Sequence, residues 1–230
     1  MQNTIYRVKE IVASNRKDAD SEWNAYYYGN YIRRTWKQAV MKRICEYCYQ
    51  YKGYSHNYAT NFQLPKLLDF GCGSSPLARE IPFSFYTGID INTSKIWFMT
   101  SKQIPNTRYI AGSIDALYLL ERQSYDIAIV SEVIEHLTLP EIDNLLKLLR
   151  DMLKDGGYLI IATPNYDSPL WHLIEWGQKR LQPKGHMSDH ITHFNATGLD
   201  ILMRSLGLIK VNSSKVMCGC DMVLSYEVKR

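Results

Sequence analysis

From Lys66 onward the chain alternates short apolar runs with stretches whose apolar positions recur every three or four residues. The short runs near 66–70, 85–89, 107–111, 125–130 and 157–162 predict strands, and the periodic stretches near 76–80, 93–102, 114–121, 139–153 and 196–206 predict helices. Alternation at this spacing predicts right-handed crossovers and a parallel sheet. Leu208 to Val211 and Met222 to Glu227 follow with no helix between them, which predicts a closing β-hairpin. Ahead of Lys66 the period is helical. Ile5, Val8, Ile11 and Val12 predict a helix over 4–17, Asp18 to Ser21 a break and cap, and Glu22 to about Tyr51 a long helix interrupted at Gly29. Gly53 to Gln63 is polar and turn-rich, a connector. Between the fifth strand and the helix at 196 lies an insertion, Thr163 to Phe194. There Leu170, Leu173, Ile174 and Leu181, with Trp171 and Trp176, predict an amphipathic helix that walls an acceptor pocket, lies on a membrane surface or simply packs.

The first strand ends in a glycine turn, Leu68-Asp69-Phe70-Gly71-Cys72-Gly73-Ser74-Ser75-Pro76, and the second ends in an acid, Phe85-Tyr86-Thr87-Gly88-Ile89-Asp90. Gly71 and Gly73 let the backbone turn sharply and approach a ligand, and a carboxylate one strand on can accept hydrogen bonds from a ribose diol. The dinucleotide fingerprint needs a third glycine, which is missing here; a nicotinamide-binding domain with a degenerate fingerprint is the alternative. The full string Leu68 to Gly73 resembles the first motif of class I S-adenosylmethionine-dependent methyltransferases, with Ser75 where that family usually has its last glycine. The resemblance runs on through Asp90, Gly112-Ser113-Ile114-Asp115, Tyr125 to Val130 with Ser131 to Leu137, and Leu149 to Asn165. It covers residues 60 to 230 and resembles most the small-molecule and quinone O-methyltransferase branch. It implies an α/β, doubly wound, mostly parallel seven-stranded Rossmann-like sheet with an antiparallel last strand, capped by N-terminal helices. Residues 1–60 would be the helical cap or lid and 61–230 the cofactor domain, with 163–194 as its substrate-side insertion. It also implies S-adenosylmethionine as cofactor, contacted by Asp69, Gly71, Cys72, Gly73, Asp90, Ile91, Ser113, Ile114, Asp115, Ser131 and Glu132.

Methyl transfer from a sulfonium is an in-line displacement, so the protein mainly aligns nucleophile, carbon and sulfur, and an oxygen acceptor must also lose a proton. Glu132, Glu135 and His136 stand where open α/β sheets bind ligands, and positions i, i+3 and i+4 share a helix face. His190 and His193, in the segment His186 to Phe194, can fold back over the same opening. These five are the candidate catalytic residues. Glu132, Glu135, His136 and His190 are the set that would hold a divalent metal, although acid–base chemistry without a metal is the favoured role. Glu-x-x-Glu-His with a later histidine resembles both quinone O-methyltransferases and metal-dependent RNA 2′-O-methyltransferases. The motif by which amino-methyltransferases of DNA bases hold an exocyclic nitrogen is missing after the fourth strand. A small-molecule acceptor methylated at oxygen is therefore expected. An RNA acceptor and a non-catalytic cofactor-binding protein are the rivals.

Composition adds limits. The net charge of +4 does not require a nucleic-acid partner. Residues 1–66 nevertheless hold eleven Lys and Arg against five Asp and Glu, and ten of the seventeen tyrosines. Such a front suits a partly wet wall over a pocket and permits stacking on RNA bases. No apolar run reaches membrane-spanning length, and no secretory leader is read at the start. Five cysteines in a chain of this size read as reduced thiols and a cytoplasmic protein; Cys45-x-x-Cys48 and Cys218-x-Cys220 read as packing rather than zinc.

Overall fold

A computed structural model describes residues 19–51, 63–181 and 190–230. The expected helix over 4–17, nearly all of the 53–63 connector, the 60/61 boundary and residues 186–189 lie outside them. In chain order come α1 (Ser21–Tyr27), α2 (Tyr31–Gln50), β1 (Lys66–Phe70), α3 (Leu77–Glu80), β2 (Phe85–Asp90), α4 (Thr93–Ser101), β3 (Thr107–Ala111), β4 (Tyr125–Ser131), α5 (Leu139–Met152), β5 (Leu153–Pro164), α6 (Pro169–Leu181), α7 (Ala196–Ser205), β6 (Leu208–Val216) and β7 (Asp221–Val228). The strands form one sheet in the order β3-β2-β1-β4-β5-β7-β6. β1 to β5 are parallel, and β7 inserts antiparallel between β5 and β6. The hairpin thus folds back so that its second strand, not its first, continues the sheet.

The parallel strands read as near-continuous apolar runs because helices cover both faces. On one face α5 buries Ile142, Leu145, Leu146, Leu148, Leu149 and Met152 against β1, β4 and β5, with α7 alongside. Each such side chain contributes about 1.5–3 kcal/mol by leaving water. The Glu141 carboxylate accepts hydrogen bonds from the Thr138 amide (2.8 Å) and hydroxyl (2.6 Å), which fixes where α5 begins. On the other face the second half of α2 buries Val40, Met41, Ile44, Tyr47 and Cys48 against Leu67, Ile127, Ile129 and Ile160. The second half of α2 is therefore also a layer of the sheet domain, and among the described N-terminal residues it is α1 and the first turns of α2 that reach the strand ends.

The interruption expected at Gly29 is present, and two other elements differ from their expected form. The long N-terminal helix breaks at Tyr28-Gly29-Asn30, where Asn30 accepts from the Arg33 amide (3.0 Å) and a Cβ at Gly29 would lie 2.6 Å from the Ala25 carbonyl. The 114–121 segment is a run of tighter 3-10 turns, Ile114–Leu119. β5 begins at Leu153, not 157: Leu153 pairs with Tyr125, and the extra residues bulge out around Gly156 at φ +70°.

Candidate active site

The carboxyl ends of β1, β2, β3, β4 and β5 lie along one edge of the sheet. Because β7 is antiparallel and Asp221 pairs with Pro164, the start of β7 lies on that edge too. The glycine turn is held from both sides. The Gly71 and Cys72 amides donate to the Ile89 carbonyl (2.8 and 3.0 Å). The Asp90 carboxylate accepts from the Gly73 amide and the Asn92 amide, both at 2.8 Å. Each Asp90 oxygen keeps a lone pair for a further donor. A Cβ at Gly71, whose φ is +75°, would lie 2.2 Å from the Val133 side chain. Close packing of the β4 loop, as much as any ligand, demands glycine there. Ile91 is exposed beside Asp90, as are Ser113 and Asp115 beyond β3, while Ile114 packs partly against the core. Asp69 and Cys72 are buried. The Tyr86 hydroxyl donates to Asp69, whose carboxyl burial pushes up to about 7.

Beyond β4 the backbone turns left-handed at Glu132 (φ +56°), a strained conformation for a residue with a side chain. Its amide still donates to the Ala162 carbonyl (2.8 Å). The carboxylate pairs with Lys37 of α2, and next to Lys37 the Trp36 indole N–H donates to Asp221. Burial and the neighbouring Glu132 raise Asp221 to about 7. Glu135 lies on a single 3-10 turn, Ile134–His136, and is 1% exposed. Burial, with Glu132 and Asp221 adding to it, raises Glu135 to about 8; Thr163 Oγ1 donates to it at 3.0 Å and holds against that rise.

The chain returns at His190. The amides of Ile191 and Thr192 donate to the Glu135 carbonyl (2.8 and 3.1 Å), pinning the two segments together. The His136 and His190 rings meet edge to face at 4.8 Å. Burial and His136 lower His190 to about 4, so its ring is neutral. The Tyr166 hydroxyl bonds His190 Nδ1 (2.9 Å), and the Tyr166 ring stacks on exposed His193 (3.9 Å). Among the described residues Glu135, His136 and His190 bring one ligand atom each within 4.8 Å of one another. A carboxylate with two imidazoles can relay a proton or hold a divalent ion. Glu132 lies outside this group, engaged with Lys37. Thr138, Leu139, Pro140, Ile191, Thr192, His193 and Phe194 line an open groove of about 510 Å³.

Sequence pattern does not single out Trp36, Tyr166 or Asp221, and it marks Lys37 only as one of the basic side chains beside the N-terminal aromatics. Asp221 is the most legible of them in the sequence, because an acid opening an antiparallel strand beside β5 sits at the ligand edge. Glu22 of α1 also reaches the glycine turn: it pairs with Lys95 and accepts from Ser74. Burial would raise its carboxyl, but Lys95 and these hydrogen bonds win and pull it to about 2.

The model of a family described as a methyltransferase domain matches residues 33–212. A fatty-acid O-methyltransferase of Mycolicibacterium smegmatis is 31% identical over 113 residues, 46% of this chain and 40% of the relative. A ubiquinone biosynthesis O-methyltransferase of Albidiferax ferrireducens is 27% identical over 106 residues, 44% of this chain and 41% of the relative. These matches span about two-fifths of the curated relatives' length. In fold, the chain resembles magnesium protoporphyrin IX methyltransferase from Synechocystis PCC 6803, solved with bound S-adenosylhomocysteine. The TM-score is 0.66 at 15% identity, covering 96% of this chain and 100% of that one.

Proposed function

The chain belongs to the methyltransferase-domain family, and from that premise we propose that it transfers the methyl group of S-adenosylmethionine to an oxygen of a small, partly apolar acceptor. The observation that carries this reading is the meeting of Glu135, His136 and His190 on the sheet edge that also holds the glycine turn and Asp90. Gly71 and Gly73 would line the methionine end of the cofactor, Asp90 would bond the ribose hydroxyls, Ile91 would cover the adenine, and Asp115 would meet its amine. When bound, the cofactor supplies an activated methyl group on a sulfonium whose leaving group is a neutral thioether. The acceptor's O–H must give up its proton as the carbon–oxygen bond forms. His190, kept neutral, and His136 pass that proton to Glu135 in its ionised form, which is the minority below about pH 8, so transfer is expected to speed up as pH rises through about 8. Leu139, Pro140, Ile191 and Phe194 on the groove beside His193 suit an apolar acceptor, and both curated relatives are named as O-methyltransferases.

The test is methyl transfer from labelled S-adenosylmethionine to a panel of phenols, carboxylic acids and RNA oligonucleotides. Glu135→Gln is expected to slow transfer by about a hundredfold or more while cofactor binding persists. Labelling of RNA alone would overturn the small-molecule acceptor. Cofactor binding with no acceptor labelled would leave a binding protein. The grouping of Glu135, His136 and His190 favours a second reading, in which a divalent ion held there polarises the acceptor oxygen. Dialysis against a chelator that abolishes transfer, with recovery on adding metal, would select it.

A further inference from the structure

The N-terminal cap places a carboxylate on the glycine turn. Glu22 Oε2 accepts from the Ser74 amide (3.2 Å) and from the fully buried Ser74 hydroxyl, and Oε1 pairs with Lys95 of α4. A Cβ at Gly73 would lie 3.2 Å from the Glu22 carboxyl carbon, so this acid rests directly on the turn. Ser74 N–H, Ser74 O–H and the Lys95 ammonium thus converge on one carboxylate, and they are fixed by the sheet domain rather than by the cap. Lys95 is held by α4, whose first turn Asn92 caps through its bonds from the Ser94 and Lys95 amides. The carboxylate comes from a seven-residue helix.

On the cofactor reading above, the ligand of this turn carries a carboxylate of its own, at the amino-acid end. We propose that Ser74 and Lys95 form the binding site for that carboxylate, and that Glu22 is a built-in competitor which fills it until the cofactor displaces it. Cap and cofactor then exclude one another at a single point. Entry of the cofactor frees Glu22 from the turn, and departure of the product lets Glu22 return. A Glu22 that stayed in place and received the ligand's ammonium would act in the opposite sense. The two assignments differ in sign, because removing a competitor tightens binding and removing a partner weakens it.

The test is calorimetric titration of the whole chain, Glu22→Gln and Lys95→Met with two ligands. One is S-adenosylhomocysteine. The other is methylthioadenosine, the same nucleoside thioether without the amino-acid end. A site held closed roughly nine-tenths of the time weakens its ligand about tenfold, so Glu22→Gln is expected to bind S-adenosylhomocysteine about tenfold more tightly. Lys95→Met is expected to bind it about tenfold or more weakly, having lost a charge-assisted hydrogen bond. Methylthioadenosine affinity is expected to be the same in all three, which also verifies that the variants fold. Weaker or unchanged S-adenosylhomocysteine binding by Glu22→Gln would overturn the proposal, as would an equal change for both ligands. If the unaltered chain binds neither nucleoside, the cofactor reading itself fails.

Discussion

Replacing Glu135 by glutamine is expected to make the protein more stable in alkaline solution. The side chain is 1% exposed, its one described side-chain donor is the Thr163 hydroxyl, and its carboxyl is raised from 4.5 to about 8. The folded protein therefore holds a proton that the unfolded chain has already released. Stability from this group is complete below about pH 4.5 and falls as pH rises through about 8, since unfolding releases the proton. At 1.36 kcal/mol per unit, a difference of about 3.5 units sets a ceiling near 5 kcal/mol, and relaxation with water entry leaves about half of it. Asp69 and Asp221, raised to about 7, tilt the curve the same way at lower pH in both proteins. Glutamine keeps an oxygen for Thr163 and has no charge to bury. Urea unfolding followed by tryptophan fluorescence from pH 5 to pH 9 would measure this. We expect near-equal stability at pH 5 and an advantage of about 2–3 kcal/mol for Glu135→Gln at pH 9. Parallel curves over the whole range would refute the assignment of a buried, protonated carboxyl. The same variant is expected to slow methyl transfer, so on the proposed role of Glu135 its burial has a stability cost at a position used for chemistry.

Asp90→Ala removes a carboxylate that accepts from the Gly73 and Asn92 amides and that we assign to the ribose hydroxyls. It should weaken S-adenosylhomocysteine binding by about a hundredfold in calorimetry; unchanged affinity would refute that assignment. Gly71→Ala puts a methyl group at φ +75° and 2.2 Å from Val133. A cost of about 3 kcal/mol, seen as a fall of about 8 °C in melting temperature, is expected even without ligand. Tyr86→Phe strips Asp69 of its hydroxyl donor. It should cost about 1–3 kcal/mol in denaturant unfolding, with the deficit widening above pH 7 as Asp69 ionises without a partner.

Local chemistry along the chain determined the layers and one half of the site. Strand and helix periods differ, so the alternation from Lys66 could be read directly, and the Leu68–Gly73 string with Asp90 marked the ends of two neighbouring parallel strands. Glu135, His136 and His190 were nameable as acids and imidazoles beside a strand end. Their separation from Glu132, which turns away to Lys37, was not. A helix face would have kept Glu132 with them, but a left-handed residue and a single 3-10 turn replace that helix. What only the tertiary structure decided is which distant residues share the strand edge. Trp36 meets Asp221 across 185 positions, Lys37 meets Glu132 across 95, and Glu22 meets Ser74 across 52. Those meetings depend on α2 burying its second half on one sheet face and on β7 entering antiparallel beside β5. Periodicity reports how a segment coils and which side is apolar. It carries no information about the strand that segment will lie against, because that choice is made by burial summed over the whole sheet.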